Sequence, residues 1–331
     1  MKMKEESTKT DADAGMAQFV KETVVLIAGH GSPNRAGNQE IEKFVAQWRT
    51  RHPNWQIEVC FIEHADVLVP EGLDKAASQA RRVVLLPLIL NAAGHVKIEL
   101  PEAVEEARQR HPDVEFIVVP HLGMCRDVFT VLQRQLKQLM KSLNSPDPQT
   151  TGVVLLGRGS SDAEANGELA RMARWLYEEN DHELVDLAFT GVTWPRLETI
   201  VQRQVRLGMR QICILPVYLF TGVLIERIKA QVKRLQSQYP QVSFALGDYF
   251  GFEPEIFRLV DQLTSAGMAG VGTLLECDSC RHRAYRAYRL QGDEADCGGE
   301  HDDHARPSHH AHHAHRAHAH HFSHHSHSHH G

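Results

Sequence analysis

The sequence predicts an α/β protein: two tandem repeated domains, each a parallel sheet flanked by helices, followed by a disordered histidine-rich tail. Three observations carry that prediction. The chain matches itself at a spacing of 128 residues, short apolar runs alternate with longer segments of helical period, and the histidines crowd at one end. Residues 23–32, TVVLIAGHGS, match 152–160, GVVLLGRGS, so that Gly29, Gly31 and Ser32 recur as Gly157, Gly159 and Ser160. A second pair of blocks, 83–90 (VVLLPLIL) and 212–219 (ICILPVYL), follows in the same order. Each is succeeded by a glycine-containing loop and an amphipathic segment closing on His111-Pro112 or Tyr239-Pro240.

The first copy gives the elements in order. The β-branched run 24–28 predicts a strand, and the polar and apolar alternation of helical period over 38–51 predicts a helix. Strand 56–61, helix 71–82, strand 83–90, helix 101–110, strand 115–119 and helix 125–142 follow by the same two criteria. Continuous apolar strands separated by helices indicate parallel sheets covered on both faces. Ser145-Pro-Asp-Pro-Gln-Thr150 has nothing to bury and reads as a linker, which divides the chain into domains 21–146 and 151–268. Residues 1–20 form a polar leader without an apolar targeting core, expected to be disordered. Residues 271–300 carry three of the six cysteines, and 301–331 carry 15 of the 23 histidines in a low-complexity tail.

Composition excludes several classes. With 331 residues, 42% hydrophobic and 24% charged, the chain is long enough for two cores and too apolar to be disordered throughout. A formal charge of −6 leaves no basic excess for a nucleic-acid backbone. The longest apolar run, 83–90, falls far short of the roughly 20 residues that span a bilayer. A cytoplasmic protein is expected. No Walker loop or G-x-G-x-x-G fingerprint is present, so no nucleotide is called for. Cys60, Cys125 and Cys213 have apolar neighbours and read as buried core thiols.

Ligands of open parallel sheets bind beyond the carboxyl ends of the strands. Two histidines fall there, His30 in Ala-Gly-His-Gly-Ser and His95 in Leu-Asn-Ala-Ala-Gly-His. Two neutral imidazoles facing one cleft can coordinate a divalent first-row metal and accept protons near neutral pH. Each alone is equally compatible with a hydrogen-bonded turn histidine.

The Gly-His-Gly-Ser turn (29–32), Cys-Phe-Ile-Glu-His-Ala-Asp (60–66) with Pro70-Glu-Gly-Leu73, and Leu-Pro-Leu-Ile-Leu-Asn-Ala-Ala-Gly-His (86–95) together resemble the sirohydrochlorin cobaltochelatase and ferrochelatase family, the class II chelatases. The resemblance covers about 20–268, and the cysteine segment and tail are similar to those of long, two-repeat members. It implies insertion of Co2+, with Fe2+ as the other candidate, into sirohydrochlorin in cobalamin or siroheme biosynthesis. It further implies that His30 accepts protons and binds metal, that His95 is the second metal ligand, and that Glu63 contacts the substrate. The loop Leu90, Asn91, Ala92, Ala93 and Gly94 would line the macrocycle face.

The second copy departs from this pattern. Arg158 stands where His30 stands, Thr190 or Gly191 falls near Glu63, and the loop 220–223 has no histidine. A guanidinium is neither ligand nor base at neutral pH, so this copy is expected to be silent in metal insertion, with Arg158 free to pair with a substrate carboxylate or to serve a structural ion pair. Cys277, Cys280 and Cys297 can hold an iron-sulfur cluster or, with His282, zinc, and they can also act in redox chemistry. The tail can store or deliver metal, and a metal or tetrapyrrole binding protein acting through it is the alternative reading. One chain with two pseudo-symmetric repeats is expected to serve as a monomer, with a homodimer as the other arrangement. A histidine phosphatase is disfavoured, because Gly29 stands where such enzymes carry arginine.

Overall fold

The computed structural model describes residues 22–144 and 146–270. The leader 1–20, the cysteine segment 271–300 with Cys277, Cys280 and Cys297, and the tail 301–331 lie outside the described residues, as does the side chain of His95. The first repeat runs β1 (Thr23–Gly29), α1 (Arg35–Arg51), β2 (Gln56–Phe61), α2 (Val69–Ala77), β3 (Arg82–Pro87), a π-helical turn (His95–Glu99), α3 (Leu100–Arg110), β4 (Glu115–Val118) and α4 (Arg126–Ser142). The second runs β5 (Thr151–Gly157), α5 (Ala163–Glu178), β6 (Val185–Phe189), α6 (Leu197–Arg206), β7 (Gln211–Pro216), α7 (Val223–Gln238), β8 (Ser243–Leu246) and α8 (Pro254–Met268). Each repeat builds one all-parallel sheet, in the order β2-β1-β3-β4 and β6-β5-β7-β8. The central strands are apolar throughout because helices cover both faces, and Val24 to Ala28 are fully buried.

Capping residues fix where the first helix of each repeat begins. Asn34 accepts from the Ala36 amide at 3.0 Å, and Asp162, 128 positions on, accepts from the Glu164 amide at 2.9 Å. The Asn34 cap starts α1 at Arg35, three residues before the sequence pattern places it. Pro70 presets the first turn of α2, which therefore spans Val69–Ala77 rather than 71–82. The predicted strand 83–90 stops at Pro87: the Leu88 amide makes the last bond to β1, to Ala28 O at 2.9 Å, and 88–94 leave the sheet as a loop.

The linker is a tight turn, with Asp147 accepting from the Gln149 and Thr150 amides. It joins repeats that are not separate in space. Helix α4 packs on β7 and β8 of the second repeat, and α8 packs on β3 of the first. Met140 Sδ lies 3.9 Å from Cys213 Sγ, and Gln135 Nε2 donates to Asp248 O at 3.0 Å. A Cβ at Gly267 would stand 2.4 Å from Val119 Cγ1. Phe44 of α1 stacks on Phe257 of α8 with centroids 4.4 Å apart, and Trp48 Nε1 donates to Asp261 at 2.6 Å. Arg134 of α4 forks onto Glu255 of α8 and onto Glu253, which precedes that helix. The sequence domains 21–146 and 151–268 thus exchange their last helices, and one hydrophobic cluster runs through both. Of the three cysteines read as core thiols, Cys60 and Cys213 are buried, whereas Cys125 is half-buried ahead of α4.

Candidate active site

The site starts from backbone. After β1, Gly31 adopts φ +85°, and a Cβ there would lie 1.7 Å from Glu63 O, so only glycine permits the approach of the two strand-end loops. The Glu63 amide donates to His30 O at 3.1 Å and the Ile62 amide to Gly29 O at 2.9 Å. These bonds bring the Glu63 carboxylate to His30, with Oε1 3.3 Å from Nδ1. His64, held at φ +58°, turns its ring back so that Nε2 lies 3.3 Å from Glu63 Oε2. Asn38 of α1 donates from Nδ2 to Ser32 O at 2.9 Å, tying the first loop to the helix.

The third loop descends from β3. Leu90, Asn91, Ala93 and Gly94 line the cavity, whereas Ala92 is buried in the core cluster with Val96 and Leu100 and does not reach it. Asn91 Nδ2 donates to Ala165 O of the second repeat at 2.9 Å. His95 opens the π-helical turn that precedes α3. Such turns carry one extra residue and occur often at functional sites. The second repeat has no counterpart: α7 starts directly at Val223, with three residues between Leu219 and Val223 where the first repeat has four between Leu90 and His95.

The second repeat supplies the opposite wall. The two walls enclose about 730 Å³, lined on this side by Arg158, Gly159, Ser160, Val192, Tyr218 and Val223 among others. The backbone repeats the first wall closely: the Gly191 amide donates to Arg158 O at 3.0 Å, Gly159 has φ +87° and Val192 φ +59°. Gly191 is therefore the residue in the place of Glu63. Tyr218 OH lies 2.8 Å from Thr190 Oγ1, and burial pushes its phenol up to about 12. Glu40 reaches across from α1, accepting from the Thr221 amide at 2.8 Å and from Tyr249 OH at 2.6 Å.

A further polar contact between the walls joins Arg158 Nη1 to His30 Nε2, 2.9 Å. Arginine only donates, so Nε2 is the acceptor and the ring proton sits on Nδ1, where Gly31 O at 3.1 Å and Glu63 Oε1 receive it. His30 is thereby held as the tautomer whose Nε2 lone pair faces the cavity. Among the described residues no three His, Cys, Asp or Glu side chains converge on a metal position. His64, Asn38, Glu40 and Tyr218 enter the site from structure alone. His64 sits beside Glu63 in the sequence, but only its left-handed backbone turns the ring inward.

The CbiX family model matches residues 24–139 and again 152–266. The chain is 34% identical over 264 residues to the sirohydrochlorin cobaltochelatase of Priestia megaterium, covering 78% of this chain and 84% of that one. It is 27% identical over 233 residues to the sirohydrochlorin ferrochelatase of Bacillus subtilis strain 168, covering 70% and 87%. Among solved structures, SirB from Bacillus subtilis with Fe3+ superposes with a TM-score of 0.64 at 25% identity, over 76% of this chain and 97% of that one.

Proposed function

The chain belongs to the CbiX family, and from that premise we propose that it is a sirohydrochlorin chelatase, inserting Co2+, with Fe2+ as the other candidate metal, into the free macrocycle of cobalamin or siroheme biosynthesis. The observation that carries this reading is His30: a strand-end imidazole with Nδ1 committed to Glu63 and Gly31 and Nε2 directed into a cavity large enough for a flat tetrapyrrole.

Metal insertion takes one divalent cation and one free-base macrocycle and yields the metallated macrocycle and two protons. The cation must shed water, and the pyrrole nitrogens must lose their protons to a base. A neutral imidazole serves both needs. In this reading His30 and His95 take the cation through imidazole nitrogens, and His30 then accepts a pyrrole proton. The Glu63 carboxylate beside Nδ1 stabilises the imidazolium so formed, and His64 adds a second imidazole on the far side of that carboxylate. Leu90, Asn91, Ala93 and Gly94 meet one face of the macrocycle, while Val192 and Val223 offer it apolar contact from the opposite wall. Arg158 pairs with one of its carboxylates. Both walls come from one chain, consistent with a monomer as the working unit. The cysteine segment and the histidine-rich tail are accessories of metal supply, with Cys277, Cys280 and Cys297 as candidate cluster ligands.

The test is steady-state metallation of sirohydrochlorin, followed by absorbance, with Co2+ and Fe2+ in parallel. His30→Ala and His95→Ala are expected to lose activity by on the order of 10²-fold or more. Full activity in His30→Ala would overturn the assignment and shift the functional weight to the tail.

A further inference from the structure

One contact in the cavity serves neither metal binding nor proton transfer. Arg158 places a permanent positive charge 2.9 Å from His30 Nε2, the nitrogen that the chelatase reading gives to the incoming cation. Its backbone is fixed, since Arg158 O accepts from the Gly191 amide at 3.0 Å and faces Thr190 Oγ1, itself held by Tyr218. Its side chain is exposed to the cavity. Among the described residues no carboxylate pairs with the guanidinium; its partner is a neutral imidazole. A carboxylate is the stronger partner, because it offers two charged oxygens to the planar fork.

We propose that Arg158 gates His30. With the macrocycle absent, the guanidinium covers Nε2 and repels a bare divalent cation. When the macrocycle enters, one of its carboxylates takes the guanidinium into a bidentate pair and uncovers Nε2. Tetrapyrrole binding therefore precedes metal binding, and the degenerate repeat acts on the reaction by setting that order. This inference rests on the chelatase reading for its macrocycle step, while its metal step concerns Co2+ and His30 alone.

The test uses full-length protein and a site-specific readout, because the histidine-rich tail would dominate bulk metal titration. Acylation of His30 by diethyl pyrocarbonate is followed by peptide mass spectrometry while Co2+ alone is titrated. In Arg158→Gln, Co2+ is expected to protect His30 at a concentration at least tenfold lower than in wild type. Arg158→Lys, which keeps the charge and loses the fork, is expected to stay near wild type in Co2+ protection. In turnover both variants raise KM for sirohydrochlorin, by about tenfold. Equal Co2+ protection of His30 in wild type and Arg158→Gln would overturn the gate, whatever the turnover results. Retained metallation in His30→Ala would overturn the chelatase site while leaving the Co2+ arm readable.

Discussion

The two repeats share a scaffold and differ in chemistry. Backbone bonds recur 128 positions apart: Glu63 to His30 at 3.1 Å, Gly191 to Arg158 at 3.0 Å. So do the left-handed residues, Gly31 and Gly159 at +85° and +87°, His64 and Val192 at +58° and +59°. Yet at three equivalent loop positions Arg158, Gly191 and Val192 replace His30, Glu63 and His64, and where His95 opens a π-helical turn the second repeat starts α7 directly at Val223. Loop shape is held by backbone hydrogen bonds and glycine, neither of which depends on those side chains. A duplicated site can therefore exchange its titratable groups and keep these loop turns, leaving one wall with imidazoles and a carboxylate and the other with a guanidinium and apolar contacts.

The largest effect that would sharpen this contrast is catalytic. His30→Ala should lower the metallation rate on the order of 10²-fold or more, whereas Gly191→Ala, whose Cβ meets nothing closer than 3.7 Å, should leave it within about twofold. Comparable losses in both would mean that the second wall carries chemistry as well. Stability comes next. Gly31→Ala forces a Cβ against Glu63 O in a left-handed backbone and should cost about 1–3 kcal/mol. Gly159→Ala, 2.4 Å from Gly191 O, should cost nearly as much, and chemical denaturation would measure both. Loss of stability at one glycine only would break the equivalence of the scaffolds. A smaller effect lies at high pH. Tyr218 replaces an apolar residue of the first wall, and burial raises its phenol from 10 to about 12. Between these values the unfolded chain releases a proton that the folded chain keeps, so stability should fall as pH rises through that window. Tyr218→Phe should flatten the fall, as measured by denaturation at stepped pH. The smallest effect is expected from truncation after Ala269, which should leave kcat within about twofold; loss of turnover would give the C-terminal segments a direct role.

How much of this was legible follows from what the sequence encodes locally. The duplication, the parallel strands and the strand-end position of His30 rest on identity and periodicity, and they appear in the fold, whereas His95 lies eight residues beyond the end of β3. The end of β3 at Pro87 was not readable, because the apolar run continues to Leu90 while its hydrogen-bond partner on β1 does not. Ala92 read as a lining residue, but a loop sequence does not say which side chain turns inward. The π-helical turn at His95 leaves no compositional mark. The exchange of α4 and α8 was equally hidden. The apolar stripe of an amphipathic helix, such as Val128, Phe129, Val131 and Leu132, declares that it will be covered, not by which sheet.

That exchange has a mechanical consequence. Each exchanged helix travels with the sheet it packs on, α4 with β7 and β8 and α8 with β3, so a parting of the walls would keep those contacts and the Phe44–Phe257 stack and would break the seam between α4 and α8 with its Arg134 fork. The chain crosses from wall to wall twice, between β4 and α4 and between β8 and α8. Those two crossings strap the walls together along one side, like the paired pins of a hinge. A rigid, disc-shaped guest therefore enters and leaves across the opposite, unstrapped rim, where the strand-end loops and long side chains meet it.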